Sequence, residues 1–337
     1  MRRIGHIICI AACIATLAGC HSREEMAYSW NPVENVEALW QFIDTRYCYV
    51  EEKGVDWSAI HDEYIEKAKL LKRGAQMPLF DLCAEMLNTL QDGHVNLISN
   101  FDVSHCTSWY DSFPTNFDSQ LQQKYLKNYR TAGELYYSVI EKDNIGYIYY
   151  PSFNGSFGPG NIYWIFQTFH KCDCKGLIID VRNNGGGNIN RAYMLSSPFF
   201  TENRVVGYWQ HKTGPGHHEF SEMEELKSDT ALIASKWHRP VVVLCNRRSY
   251  SATNTFINIM RYADNAKIVG GTSGGGGGMP MSYELPCGWM VRFSSVRMYD
   301  RDKKDIEQGI EPDVAVNMVS TDKDDIIEKA IEIINNW

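Results

Sequence analysis

The spacing of apolar positions changes period once along this chain. From Asn31 to Leu90 it is helical: Val36, Leu39, Trp40, Phe42 and Ile43, then Trp57, Ile60, Tyr64 and Ala68, then Phe80, Leu82, Cys83, Met86 and Leu87. Three helices are predicted, packed as a small N-terminal bundle over 31–99. The bundle ends at Asp92-Gly93-His94, a tight turn into a short strand over 95–98. Residues 100–139 form a connecting segment without clear period, with one helix around 121–129. From residue 134 onward, strand-like runs alternate with helical ones. Strands are predicted over 135–140, 145–150, 176–181, 205–210, 241–245, 266–269, 282–285 and 289–296, and helices over 162–172, 189–197, 252–262 and 324–334. The stretch 213–232 reads as a surface excursion, and the glycine-rich run 270–278 as a mobile loop. Alternation of this kind predicts an α/β core over 140–337.

The chain has 337 residues and a formal net charge of −8. It contains no basic run, and its acidic balance disfavours binding to nucleic acid. Residues 1–20 read as a targeting segment, with Arg2 and Arg3 ahead of an apolar stretch that ends in Leu17-Ala18-Gly19-Cys20. That ending resembles a bacterial lipobox. The resemblance implies a lipoprotein signal peptide, acylation of Cys20, a tether over 21–30, and a protein exported and held at the cell envelope through its lipid. Beyond Cys20 seven cysteines remain, an odd number with no zinc-type Cys-x-x-Cys spacing, so at least one thiol stays free and no metal site is expected. One or two disulfides are compatible with export.

Chemistry concentrates where strands hand over to helices. Val241 to Cys245 is a β-branched, apolar run, followed by a polar turn and then by the helical stretch that begins at Ala252. Ser251 therefore sits at a helix N-terminus, where a hydroxyl is held rigidly beside free N–H groups and the positive end of the dipole. A serine there also serves as a simple N-cap. The segment Arg182-Asn-Asn-Gly-Gly-Gly187, between a strand and a helix, offers backbone N–H groups without side chains in the way. Gly185 or Gly186, together with the N–H of Ala252, supplies a candidate oxyanion hole. No Gly-x-x-x-x-Gly-Lys pattern is present, so a nucleotide-binding loop is not indicated.

Three segments in order carry a family resemblance: Asp180-Val-Arg-Asn-Asn-Gly-Gly-Gly187, the strand–Ser251-Ala–helix element, and Gly309-Ile-Glu-Pro-Asp313. Together they resemble the C-terminal processing (tail-specific) and tricorn-core serine peptidases. The resemblance implies a Clp-protease/crotonase-like core and hydrolysis of peptide bonds in polypeptide substrates, with no cofactor. It places the nucleophile at Ser251 rather than Ser249. The tail-specific branch places a lysine base in the glycine-rich stretch, but 270–278 contains none, and Lys267 lies too early. The tricorn-like branch uses a histidine from the N-terminal region, which His94 matches, and a glutamate near the C-terminus, which Glu307 matches at a spacing one residue short. Asp305 and Asp92 are alternatives for the group that orients His94. Residues 100–139 are too few for the PDZ domain common in tail-specific enzymes. A catalytically inactive relative that binds peptides at the envelope is the rival reading. A crotonase-type acyl-CoA enzyme conflicts with export.

Overall fold

The computed structural model describes residues 28–337. The predicted signal peptide, Cys20 and most of the tether lie outside the described residues. Helices α1 (Pro32–Arg46), α2 (Trp57–Lys69) and α3 (Gln76–Asn88) form the expected bundle. Asn31 and Asp56 cap α1 and α2 by accepting backbone N–H bonds from Val33 and Ala59. A short strand, β1 (Asn96–Ile98), follows the Asp92-Gly93 turn.

The connecting segment holds two short helices, α4 (Ser108–Asp111) and α5 (Ser119–Gln123), and strand β2 (Arg130–Ala132). The one helix expected here is much shorter than its pattern suggested. Next come β3 (Leu135–Ile140), β4 (Ile145–Tyr149), α6 (Pro159–Lys171), β5 (Gly176–Asp180), α7 (Ile189–Ser196), β6 (Val205–His211) and β7 (Glu224–Lys227). Strand β7 lies in the stretch read as a surface excursion. It pairs antiparallel with β6 and is mostly polar, which hid it from a search for apolar alternation. The chain closes with β8 (Val241–Cys245), α8 (Ala252–Met260), β9 (Ala266–Gly270), β10 (Met279–Glu284), β11 (Met290–Tyr299), β12 (Val314–Ala315) and α9 (Asp325–Asn335).

Two sheets result, and the α/β expectation holds. The larger runs β12-β9-β8-β5-β4-β3-β2, parallel from β12 to β4. Its central strands β5 and β8 are buried on both faces, as continuous apolar runs require. Helices α6, α7 and α8 cover one face, while α9 lays Ile326, Ile327, Ala330, Ile331 and Ile334 on the other. The smaller sheet runs β1-β11-β6-β7, with β10 also paired to β11. One face of it packs Leu97, Val291 and Phe293 against the N-terminal bundle. The bundle therefore shares one hydrophobic core with a hairpin almost two hundred residues downstream.

The glycine run is not a mobile loop. Gly274 to Gly278 are buried, threaded between Tyr250, Glu307 and Ser294. Gly275 and Gly276 have φ of +79° and +68°, and a Cβ on either would strike the Glu307 carbonyl or the Tyr250 ring. Only glycine satisfies both the handedness and the spacing at these positions. All seven cysteines in the described residues are free thiols. Among those residues no helix is long and apolar enough to cross a membrane.

Candidate active site

The buried strand β8 is followed by Asn246, whose side-chain oxygen accepts the Asn183 N–H at 2.9 Å. Ser249 then bonds inward: its hydroxyl donates to the Val181 carbonyl at 2.8 Å and accepts from the Asn246 N–H at 3.1 Å. Fully buried and doubly engaged, Ser249 is a structural residue. Ser251 differs. Its backbone is held at φ 59°, ψ −122°, an unfavourable conformation for a non-glycine residue, at the head of the fully buried helix α8. Its N–H donates to the Gly275 carbonyl at 2.8 Å, which ties the elbow to the glycine run.

His94 comes from the turn between α3 and β1. The Asp92 carboxylate accepts the His94 backbone N–H at 2.7 Å, the Asx-turn that an Asp-Gly pair favours. The imidazole, almost completely buried, packs on the Tyr250 ring and places Nε2 2.9 Å from Ser251 Oγ. Burial pushes its pKa down to about 4, against the opposing pull of Asp92 and with help from Arg292 and Lys53. The ring is therefore neutral at ordinary pH, with Nε2 free to accept the serine proton. Nδ1 then carries the hydrogen and faces Ser294 Oγ at 3.4 Å.

Glu307, expected to align His94, makes no hydrogen bond to its ring. It faces Lys53, whose ammonium lies 3.6 Å from Glu307 Oε1 and 3.5 Å from Asp92 Oδ2. Asp305 accepts the Glu307 N–H at 2.7 Å and, like Glu307, makes no hydrogen bond to the imidazole. Of the three acids, only Asp92 bonds to His94, and it does so through the backbone. The glycine run passes against the Glu307 backbone, with the Gly276 N–H donating to the Glu307 carbonyl at 3.0 Å, while the Glu307 carboxylate faces Lys53. Burial and then Asp92 raise the Glu307 pKa to about 8, despite Lys53. Burial works the same way on Asp92, but Lys53, His94 and Tyr47 outweigh it and keep that carboxylate ionised. Tyr47 donates to Asp92 at 2.5 Å. Beside this cluster a cavity of about 30 Å³, lined among others by Lys53, Asp92, Trp109 and Glu307, is of a size to hold one water.

The oxyanion loop leaves β5 over a buried ion cluster. Arg182 pairs with Asp180 at 2.7 Å and Asp324 at 2.9 Å, and Tyr147 donates to Asp180 at 2.7 Å. Asn184 then organises the turn. Its Oδ1 accepts from the Gly186 N–H at 3.0 Å and the Thr253 hydroxyl at 2.7 Å, while its Nδ2 donates to the Tyr150 carbonyl at 2.8 Å. Gly186, at φ +95°, presses against Ser251; a Cβ there would lie 2.7 Å from the serine Cβ. Because Asn184 already takes the Gly186 N–H, of the two expected glycines the exposed Gly185 is the one whose N–H is not taken. The Ala252 N–H, first in α8, donates to no group among the described residues.

Ser251, His94, Gly186 and Ala252 thus lie together, Gly185 is the neighbouring residue of the same loop, and Glu307 lies beyond the Asp92–Lys53 pair. Lys53, Ser294 and Asn184 were not singled out from the sequence. A lone lysine in a turn, a serine on a strand and an asparagine before glycines carry no signal of their own. Lys267 is exposed, as expected. Among the described residues no three His, Cys, Asp or Glu side chains group so as to hold a metal ion.

Comparison with known proteins bears on the family and the fold. The model of peptidase family S41 matches residues 144–316, and that of the tricorn protease C1 domain matches residues 33–88. A crystal structure of a candidate peptidase from Parabacteroides merdae is 42% identical, with a TM-score of 0.83, covering 90% of this chain and 96% of that one. Mature CPAF shares the fold at 13% identity, with a TM-score of 0.69 over 91% of this chain and 98% of that one. The carboxy-terminal processing protease CtpA of Bacillus subtilis is 25% identical over 186 residues, 55% of this chain but only 38% of that protein. The chain spans well under half the length of the curated relatives it matches. With more than half of its residues matched by the family model, and its fold shared nearly end to end with a close structural relative, this chain belongs to peptidase family S41.

Proposed function

We propose that this chain is a serine endopeptidase that hydrolyses polypeptides through Ser251 and His94, tethered at the bacterial envelope by a lipid on Cys20. The observation that carries the reading is the 2.9 Å contact between His94 Nε2 and the hydroxyl of a serine on a strained strand-to-helix elbow. His94 takes the serine proton as Oγ attacks the carbonyl carbon. The N–H groups of Ala252 and Gly185 receive the charge that develops on the carbonyl oxygen. The imidazolium returns its proton to the departing amine, and water, activated by the same ring, frees the acyl-enzyme. As His94 charges, Nδ1–H remains directed at Ser294. The ionised Asp92 carboxylate stabilises the imidazolium through space. Polypeptide substrates and the absence of a cofactor follow from these steps.

Ser251→Ala and His94→Ala are each expected to lower peptidase kcat by at least about 10³-fold, leaving the melting temperature near that of the parent. A fluorophosphonate probe should label the parent and not Ser251→Ala. Absence of labelling, or activity surviving either substitution, would leave the peptide-binding relative as the better reading. For the anchor, Cys20→Ser should move the expressed protein from the detergent-extracted membrane fraction to the soluble one.

A further inference from the structure

Several large apolar side chains left in solvent gather on one face of the molecule. Leu70 is 85% exposed, Tyr28 69%, Met77 56% and Phe101 40%. They come from three separate segments, which contacts hold together. The Tyr28 ring rests on Gly288, where a Cβ would lie 2.5 Å from it. Trp30 meets Trp289 edge-on at 5.6 Å, and the Trp30 carbonyl accepts the Gly74 N–H at 3.1 Å, which brings in the turn between α2 and α3. Phe101 meets Trp289 at 5.8 Å and also Phe80 at 5.4 Å, one helical turn along α3 from Met77. Between these segments runs a groove of about 380 Å³, lined among others by Tyr28, Trp30, Gln76, Ile98 and Trp289.

Two observations say what covers this face. The first is its place in the chain. Tyr28 stands eight residues after Cys20, and eight extended residues span at most about 29 Å. A folded unit of this size is about 50 Å across. A lipid on Cys20 therefore keeps the Tyr28 face next to the bilayer and leaves the opposite face out of its reach. The second is composition. The run Leu70-Leu71-Lys72-Arg73-Gly74-Ala75-Gln76-Met77 contains no acid. Lys69 is paired with Glu66, whereas Lys72 and Arg73 make no ion pair among the described residues. Exposed Leu and Met beside unpaired cations, flanked by Tyr and Trp rings, suit the boundary between anionic headgroups and acyl chains.

We propose that the face formed by Tyr28, Leu70, Met77 and Phe101, with Lys72 and Arg73 beside them, lies on an anionic phospholipid bilayer and orients the protein there. Acyl chains on Cys20 alone give attachment without orientation. This second contact fixes which side of the molecule meets the lipid. The inference rests on the anchor reading proposed above and adds an interaction surface to it.

The test uses the full-length lipidated protein in vesicles of phosphatidylethanolamine and phosphatidylglycerol, doped with a phospholipid that carries a diazirine near the top of its acyl chain. After photolysis, adducts are mapped by mass spectrometry. They should concentrate at Tyr28, residues 70–77 and Phe101, at least about tenfold above the yield at the exposed Tyr163–Trp164 pair of α6. The double variant Leu70→Glu, Met77→Glu should lower the yield at Tyr28 and Phe101 by about tenfold, because carboxylates resist entry into the acyl region. Its melting temperature should stay near that of the parent, since both side chains are exposed. Adducts spread evenly over the surface or centred on another face overturn the proposal, as does an unchanged pattern in the double variant. A face free of adducts, in a protein whose concentration-dependent dimer the double variant dissolves, assigns the surface to a second copy and also overturns it. A parent that partitions like Cys20→Ser, outside the membrane fraction, overturns the anchor reading as well, an outcome distinct from retention with adducts elsewhere.

Discussion

The two halves of the site are built by different means. The half that holds Ser251 and the oxyanion loop rests on buried parallel strands and on local hydrogen bonds, with Asn184 and the Arg182–Asp180–Asp324 cluster beneath it. The half that holds His94 gathers its support from distant segments: Lys53 from the turn after α1, Asp92, Ser294 from β11 and Glu307 from the C-terminal region. The first sets geometry through backbone. The second sets charge through side chains buried together. Substitutions should therefore separate the halves, with the first losing stability at every pH and the second shifting pH dependence.

The largest effect is expected at Arg182. Arg182→Met leaves Asp180 and Asp324 buried without their counter-charge and should cost about 3–5 kcal/mol, seen as a lower denaturation midpoint. The acid limb of kcat/KM in whatever enzyme stays folded should not move. Lys53→Met should cost somewhat less, about 2–3 kcal/mol, since the lysine is partly reached by solvent. It should also raise the pH of the acid limb, because Lys53 helps keep His94 unprotonated. An unmoved limb would count against the contrast between the halves.

In the parent, His94 binds its proton only near pH 4, so kcat/KM should hold to well below the pH of about 6.5 at which an ordinary histidine titrates. Linkage gives the matching sign for stability. The unfolded chain takes up the histidine proton near pH 6.5 and the folded one only near 4, so this contribution is present above 6.5 and is lost as pH falls towards 4. Glu307 has the opposite sign. Its folded pKa is raised from about 4.5 to about 8, so its contribution is full below 4.5 and disappears as pH rises through 8. Glu307→Gln should flatten that alkaline decline in a thermal-melt series. Smallest of all, Ser294→Ala should lower kcat by about three- to tenfold with KM little changed, the loss of one long hydrogen bond to His94.

The same contrast explains what could be read from the chain. Ser251, the Gly185–Gly186 loop and Ala252 lie within contiguous strand–turn–helix segments whose apolar runs and glycines announce them. His94 follows an Asp-Gly turn, a local signal, but it is the resemblance to the tricorn-like branch that gives it a role. Lys53, Ser294 and the true neighbour of Glu307 were not found, since each acts through a contact made across the fold. Strand β7 escaped because an exposed, charged edge strand lacks the apolar alternation that marks its neighbours. The glycine run was misjudged for a related reason. Composition suggested freedom, whereas in the fold those residues are small because Tyr250, Glu307 and Ser294 crowd them.

The long reach between His94 and Ser294 sets a timetable for the chain. A growing polypeptide has reached His94 and Ser251 well before the strand that backs the imidazole, which follows only at residues 290–299. Until that strand pairs with β1, the helices that precede His94 lack the apolar surface they close on. The apolar face of the N-terminal bundle is therefore closed only once a strand some two hundred residues further along the chain has folded against it.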